Sequence, residues 1–495
     1  MKKGEKFKKI FEKLKGKGSL FLVLYVILFC GTAALFTYRN SAPDEELRYD
    51  IVKYVSENLQ IPSGDDPAVR NSVWGFSYAF QPITSQILAG LVMRGVTTFT
   101  DSYHIVIFSA RFINIVWILV YAFFVLKISR KLFKKGIYRT IFVIITTLTP
   151  QVLYIGSYIN NDAMAMASVA MVIYAWLIGI EKKWNYKTCI LLAVGIGLLM
   201  MSYYNAYGYI LASMILFFGV SIVRKVGIKE VLKKSAVVIW IVFMLAGWWF
   251  IRSAVLYNGD MLGLKTAREY SEKYAMSKSA EPMQCVMAPE GRKKTLKECS
   301  ILSESFKPSE RDTSANKGET LGYMLYDREW TKNVRHSFYG NFGYMNLPMH
   351  FELYEFYEIM VGIGLFGVFG YLIYRLYLRI YKKKKEKEEL EPVFNTEMKL
   401  EKEEKRLLYT AMIFGAVTVV GLSIYYSFFL DFQPQGRYIL PIMIPVMFFA
   451  VKGLEFILKD LKGWLRNIIL GIFIAVFIFT PLFELFAYIL PNLTY

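Results

Sequence analysis

Cysteine and histidine are scarce: 495 residues include four of the first and three of the second. His104, His336 and His350 stand at no metal-ligand spacing, which argues against a histidine-based metal centre. Cys30 and Cys189 fall inside apolar runs and read as inert packing. Cys285 and Cys299 share a polar stretch read below as external, where a disulfide is expected ahead of a metal site, because two thiols without a nearby histidine make an incomplete ligand set. No clear small-residue cleavage site follows the first apolar run, so that run is expected to remain as a helix rather than be removed as a signal peptide. No repeat of fixed period stands out, and the only low-complexity tract is a lysine-rich segment near Lys382. Acidic residues are outnumbered 40 to 59 by lysine and arginine, giving a net charge of +19.

That excess does not indicate nucleic acid. The basic residues cluster in short segments between apolar runs: Lys2–Lys17, Arg130–Lys135, Lys182–Lys187, Arg224–Lys234, Lys382–Lys387 and Lys452–Arg466. Such clusters mark cytoplasmic loops by the positive-inside bias. The chain is 55% hydrophobic and 17% aromatic, and runs such as Ser19–Phe36 and Ile468–Leu490 carry few or no charges. A helix of about 20 such residues crosses the roughly 30 Å hydrocarbon layer with its backbone satisfied internally. The chain reads as an all-α polytopic membrane protein in contact with the lipid bilayer.

Placing 1–18 inside the cell, eleven spans keep every basic cluster on one side: Ser19–Phe36, Tyr103–Leu126, Ile141–Tyr158, Ala163–Ile180, Thr188–Tyr203, Tyr207–Val223, Ala236–Tyr257, Met360–Tyr377, Leu407–Phe429, Tyr438–Val451 and Ile468–Leu490. The first external loop, 39–103, is expected to hold two helices lying on the membrane. Asp44–Leu59 has Leu47, Ile51, Tyr54, Val55 and Leu59 on one face, and Gln81–Val96 is apolar but short. The resulting division is a basic cytoplasmic N-terminus at 1–18, a membrane module over 19–257, a large external loop over 258–352, and C-terminal spans over 353–495 with a cytoplasmic loop at 378–406.

Four polar clusters then share the external side: Asp44-Glu45-Glu46, Asn160-Asn161-Asp162, Arg252 with Asn258-Gly259-Asp260, and Asp431-Phe432-Gln433-Pro434-Gln435-Gly436-Arg437-Tyr438. An aromatic-rich stretch, Ser337 to Asn346, precedes the eighth span on the same side. Arginine grips phosphate oxygens with a fork of donors, and a carboxylate can accept a proton or hold a divalent cation. The set suits a phosphorylated, hydroxyl-rich lipid. Each cluster also has a plainer reading. Ser41-x-x-Asp44 resembles a helix-capping box, Asn160-Asn161-Asp162 could cap the span that follows, and Arg437 could be a snorkelling interfacial cation. Arg111, within a span, either pairs with a polar group or snorkels.

Pro43-Asp44-Glu45 after the first span resembles the acidic first-loop motif of the GT-C glycosyltransferases, integral-membrane enzymes that include protein O-mannosyltransferases and aminoarabinose transferases. The order Asn160-Asn161-Asp162, Arg252 with Tyr257-Asn258-Gly259-Asp260, Phe342-Gly343-Tyr344-Met345 and Gln433 to Tyr438 resembles a bacterial branch related to the mannosyltransferases. Two positions depart from that pattern: Arg48 stands where the branch often has histidine, and Gln81-Pro82-Ile83 replaces its Pro-Pro-Leu. The resemblance implies a GT-C-like bundle of about eleven spans in a bacterial plasma membrane with an extracytoplasmic site. It implies a polyprenyl-phosphate-linked sugar as donor and a cell-envelope polymer, lipid or protein as acceptor, with inversion at the anomeric carbon. On that basis Asp44 is the expected general base and Glu45 its partner or a metal ligand. Arg437 and Arg252 would hold the departing phosphate, and Gln435, Asn161, Asp162 and Tyr438 would complete substrate binding. A divalent metal ion is a candidate cofactor, with Asp44, Glu45 and Asp162 as candidate ligands.

Two other classes remain. A glycolipid transporter or flippase would more often show repeat symmetry and charges buried at mid-membrane. A non-catalytic glycolipid-binding membrane protein is suggested by Arg48 in place of histidine.

Overall fold

The computed structural model describes residues 18–276, 306–381 and 396–494. The expected Cys285–Cys299 disulfide and the clusters Lys2–Lys17 and Lys382–Lys387 lie outside the described residues. Nine helices among the described residues are long and apolar enough to cross a membrane: Gly18–Phe36, Tyr103–Leu132, Asp162–Glu181, Tyr204–Val223, Ile228–Leu256, Phe351–Leu378, Lys402–Phe429, Gly436–Ile457 and Gly463–Leu493. Two shorter apolar helices, Gly136–Thr147 and Tyr186–Met200, account for the other expected spans. The protein is thus an all-α, multi-pass membrane protein.

The sequence reading of Ile141–Tyr158 as one continuous span is corrected by a break at Thr149-Pro150. Proline lacks the N–H that would continue the ladder and forces the preceding residue out of the helical region. Thr149 is extended (φ −56°, ψ 129°), and Pro150 opens a separate short helix, Pro150–Ile155. The second loop helix runs Thr84–Thr97, and the first runs Glu45–Asn58 with Leu47, Ile51, Val52 and Val55 buried. Leu59, expected on that buried face, is instead the left-handed residue that ends the helix and is exposed. These two helices pack on each other, and the second packs on Tyr103–Leu132.

Enclosure differs sharply among the spans. In Asp162–Glu181 and Gly436–Ile457, 83% of the apolar window is buried by other helices, against 17% in Ile228–Leu256. Small residues permit this, since helices in lipid associate through close backbone approach more than through hydrophobicity. Asp162–Glu181 buries Ala163, Ala165, Ala167, Ala170 and Ala175. Between Phe351–Leu378 and Gly436–Ile457 the backbones touch so closely that a Cβ on Gly453 would lie 1.8 Å from the carbonyl oxygen of Gly364. The two most sheltered helices begin at Asp162 and Gly436-Arg437, and those N-terminal ends meet.

A two-stranded antiparallel ribbon, Asn341–Phe342 with Leu347–Pro348, closes over this end. Phe342 is buried edge-on against Tyr154, with ring centres 5.2 Å apart, and the Gly343 amide donates to the Tyr154 hydroxyl at 3.0 Å.

Candidate active site

The hairpin after Lys402–Phe429 re-enters the bundle as a tight helical turn, Gly436–Ile442. Gly436 has no room for a side chain, because a Cβ there would sit 2.2 Å from the Phe338 nitrogen. Its amide donates to Ser337 Oγ at 2.6 Å. This close approach aims Arg437 inward, where only 2% of its side chain stays exposed. Its Nε donates to Gln435 Oε1 at 2.6 Å, and its Nη2 donates to Tyr438 Oη at 2.8 Å and to Asp44 Oδ2 at 2.5 Å. Asp162 Oδ2 lies 3.9 Å from Nη1. Tyr438 in turn donates to Gln433 Oε1, and its ring stacks on Tyr203 with centres 6.0 Å apart.

Asp44 precedes the helix Glu45–Asn58 in a left-handed conformation (φ 64°), and its side chain makes no capping hydrogen bond. A non-glycine residue held there stores local strain of about 1–3 kcal/mol, which the surroundings must over-determine. Here the Arg437 contact and a hydrogen bond with Tyr78 do so. The Asp44 side chain keeps 17% of its surface accessible. Burial pushes its carboxyl pKa up, but the charges of Arg437 and Arg48 outweigh burial and hold it below the usual carboxylate range.

Glu45 points elsewhere. Its side chain is fully buried and forks onto Arg111, Oε1 to Nε at 2.7 Å and Oε2 to Nη2 at 2.8 Å. Arg111 also donates to the carbonyls of Ala34, Thr37 and Tyr38, so this pair staples the end of the first span to Tyr103–Leu132. A carboxylate so occupied has no open face for an acceptor or a cation.

The remaining expected residues divide between contact and support. Asn160 Oδ1 accepts from the Ala163 amide at 3.0 Å, the capping role foreseen for that cluster. Asn161 is spent on structure: its amide donates to the Pro82 and Ser202 carbonyls, and its Oδ1 accepts from Gln86 at 2.7 Å. Arg252 donates to the Pro62 carbonyl at 2.9 Å and lies over Trp249, contacts separate from the Arg437 cluster. Tyr78 and Tyr203 join the site without any motif to announce them. Arg48, noted from the sequence only as a departure from a pattern, lies over the Tyr78 ring at 4.1 Å.

The candidate metal ligands do not fit a divalent cation as arranged. Glu45 is taken by Arg111, while Asp44 and Asp162 flank a guanidinium. Among the described residues no group of three or more His, Cys, Asp or Glu is placed to hold a metal ion. With Arg48 close by, two carboxylates and two guanidiniums leave no surplus negative charge to attract one.

No protein-family model matches the chain, and no curated protein matches it. Solved structures share its fold. The apo oligosaccharyltransferase of Archaeoglobus fulgidus superposes with a TM-score of 0.50 at 13% identity, covering 97% of this chain and 56% of that one. The archaeal oligosaccharyltransferase AglB from the same organism, in complex with an inhibitory peptide and a dolichol-phosphate, gives 0.50 at 12% identity, covering 97% and 56%. The A. fulgidus oligosaccharyltransferase complex with Zn and sulfate gives 0.50 at 14%, covering 94% and 52%. The likeness is one of fold, and this chain spans about half the length of those proteins.

Proposed function

We propose that the chain is a GT-C-type membrane glycosyltransferase that moves a sugar from a polyprenyl-phosphate donor to a hydroxyl of a cell-envelope acceptor, with inversion, at an extracytoplasmic site of a bacterial plasma membrane. The observation that carries this reading is the contact between the accessible, strained Asp44 and the buried Arg437, joined by Asp162 and Tyr438. The fold shared with oligosaccharyltransferases, one of them solved with a dolichol-phosphate, supports it.

In this reading the acceptor oxygen attacks the anomeric carbon from the side opposite the phosphate. The carbon–oxygen bond to phosphate breaks, its electron pair leaves with the phosphate, and the acceptor proton passes to Asp44. Arg437 offsets the charge that develops on the leaving phosphate. Held by Arg437, Asp44 is a weak base, since general-base strength falls with pKa. Phosphate oxygens compete for the same guanidinium donors, so donor binding releases Asp44 toward ordinary carboxylate basicity. Base activation is thereby coupled to donor occupancy. Gln435 orients the guanidinium, and Asp162 orients the sugar.

The direct test reconstitutes the full chain with polyprenyl phosphate carrying a radiolabelled sugar and a membrane extract as acceptor source. Time-dependent movement of label from the lipid fraction is expected. Unchanged lipid-linked label, with fluorescent glycolipid instead crossing the proteoliposome bilayer, would favour a flippase.

A further inference from the structure

Arg48 sits on the first turn of Glu45–Asn58 and is 4% exposed. Its Nε and Nη1 are buried without a hydrogen-bond partner among the described residues. Buried guanidinium donors are costly unless they meet an acceptor, and a carboxylate is the usual one. Asp44 and Asp162 lie near enough to feel the Arg48 charge, yet Asp44 accepts from Arg437 at 2.5 Å and Asp162 stands 3.9 Å from it. The Tyr78 ring beneath Arg48 supports the plane of the guanidinium without using its in-plane donors. The site therefore contains a desolvated guanidinium with unused donors on two different edges, Nε and Nη1, beside the acid that accepts the proton. Each unused donor can make a charge-assisted hydrogen bond to a phosphate oxygen.

We propose that Arg48 and Arg437 together clamp the donor's phosphate, Arg48 spending its unused donors on phosphate oxygens, so that recognition of the lipid phosphate needs no divalent cation. The proposal rests on the glycosyltransferase reading. A phosphodiester-linked sugar donor carries one negative charge, and cleavage leaves a phosphate monoester carrying up to two. The second guanidinium meets that added charge.

The test measures binding of a short-chain polyprenyl phosphate and of the polyprenol of equal length to the detergent-solubilised full chain in excess EDTA. The wild type is expected to prefer the phosphate by about tenfold or more, with no further gain from added magnesium or manganese. Arg48→Gln is expected to weaken phosphate binding about 10- to 100-fold while leaving polyprenol binding unchanged. Arg48→Lys, which keeps the charge on a single compact head group, is expected to fall between them, and it decides the matter if Arg48→Gln does not fold. Phosphate affinity unchanged in the folded Arg48 variants overturns the clamp while the glycosyltransferase reading stands. Phosphate binding that appears only with added metal overturns the cation-free claim. A wild type with no preference for phosphate removes both this proposal and the donor assignment beneath it.

Discussion

Asp44 and Glu45 are neighbours in the chain, yet their carboxylates are held by guanidiniums from opposite halves of the protein, Arg437 for the first and Arg111 for the second. Asp44 is left-handed and stands outside the helix that Glu45 opens, so the backbone turns between them and sends one acid into the cleft and the other into the packing. The two should therefore fail differently when changed.

Asp44→Asn is expected to lower sugar transfer by about 100-fold or more with a smaller fall in melting temperature than Glu45→Gln, because Asp162 still faces Arg437. Glu45→Gln leaves the fully buried Arg111 without its ion-pair partner. A broken buried pair costs about 3–5 kcal/mol, so loss of folded protein, rather than a specific loss of turnover, is the expected result. Paired measurements of turnover and thermal unfolding in detergent distinguish the two outcomes. A folded, inactive Glu45→Gln would return that residue to the chemistry.

The depressed Asp44 carboxyl fixes the direction of the pH response. A carboxylate whose folded pKa lies below its usual value of about 3.9 stays ionised down to that lower pH, so no loss of turnover arises from Asp44 between pH 8 and pH 5. Arg437→Gln removes the larger of the two attractive charges and leaves burial to push the carboxyl up. The acid limb of the residual activity is then expected to move to higher pH. Initial rates across pH 4–9 for both proteins check this, and an unmoved limb would separate Asp44 from the titration.

Gly436→Ala tests the pin behind Arg437. The added methyl meets backbone atoms of Ser337 and Phe338 rather than a yielding side-chain tip, so the turn must shift. A displacement of about 1 Å at a positioned group costs on the order of 100-fold in rate. The expected signature is a large fall in kcat with Ser337→Ala, which removes only the hydrogen bond, showing a smaller one. Equal effects would indicate that the hydrogen bond, not the close approach, sets the guanidinium.

Asp50 lies on the loop helix Glu45–Asn58, where burial, reinforced by the charge of Glu46, raises its pKa to about 6. Its folded pKa exceeds the unfolded value of about 3.9, so the folded state holds the proton more tightly. This group's contribution to stability is most favourable below about pH 4, declines as pH rises to about 6 and is flat beyond. Asp50→Asn is expected to be more stable than wild type at pH 7.5 and to lose that advantage near pH 4. Melting temperatures at the two values are the check.

The spans were legible because long uncharged runs admit no other backbone solution in lipid. Eleven apolar stretches were expected, and each is helical, although the Thr149-Pro150 step divides one of them and two are shorter than a membrane's width. The pairing of Arg111 was legible only as a choice between partner and snorkelling. Its partner, Glu45, is 66 residues away, and no local pattern encodes that distance. Tyr78 and Tyr203 stayed silent, and Arg48 was legible only as a departure from a pattern, for the same reason: a tyrosine in an aromatic-rich chain, or an arginine on a loop helix, acquires meaning only from what the fold sets beside it. Asn161 and Arg252 have the residue types of ligands, yet the Asn161 amide and Arg252 Nη2 donate to backbone carbonyls, an outcome invisible without coordinates.

The unequal sheltering of the helices has a consequence for how the protein meets its bilayer. Ile228–Leu256, with 17% of its apolar window covered, belongs to the periphery, whereas both helices that begin at the acid–guanidinium cluster are 83% covered. Peripheral helices absorb a thicker or thinner hydrocarbon layer by tilting, at fractions of a kcal/mol per ångström. Lipid mismatch is thus spent at the rim, and the spacing of Asp162 and Arg437 is insulated from it.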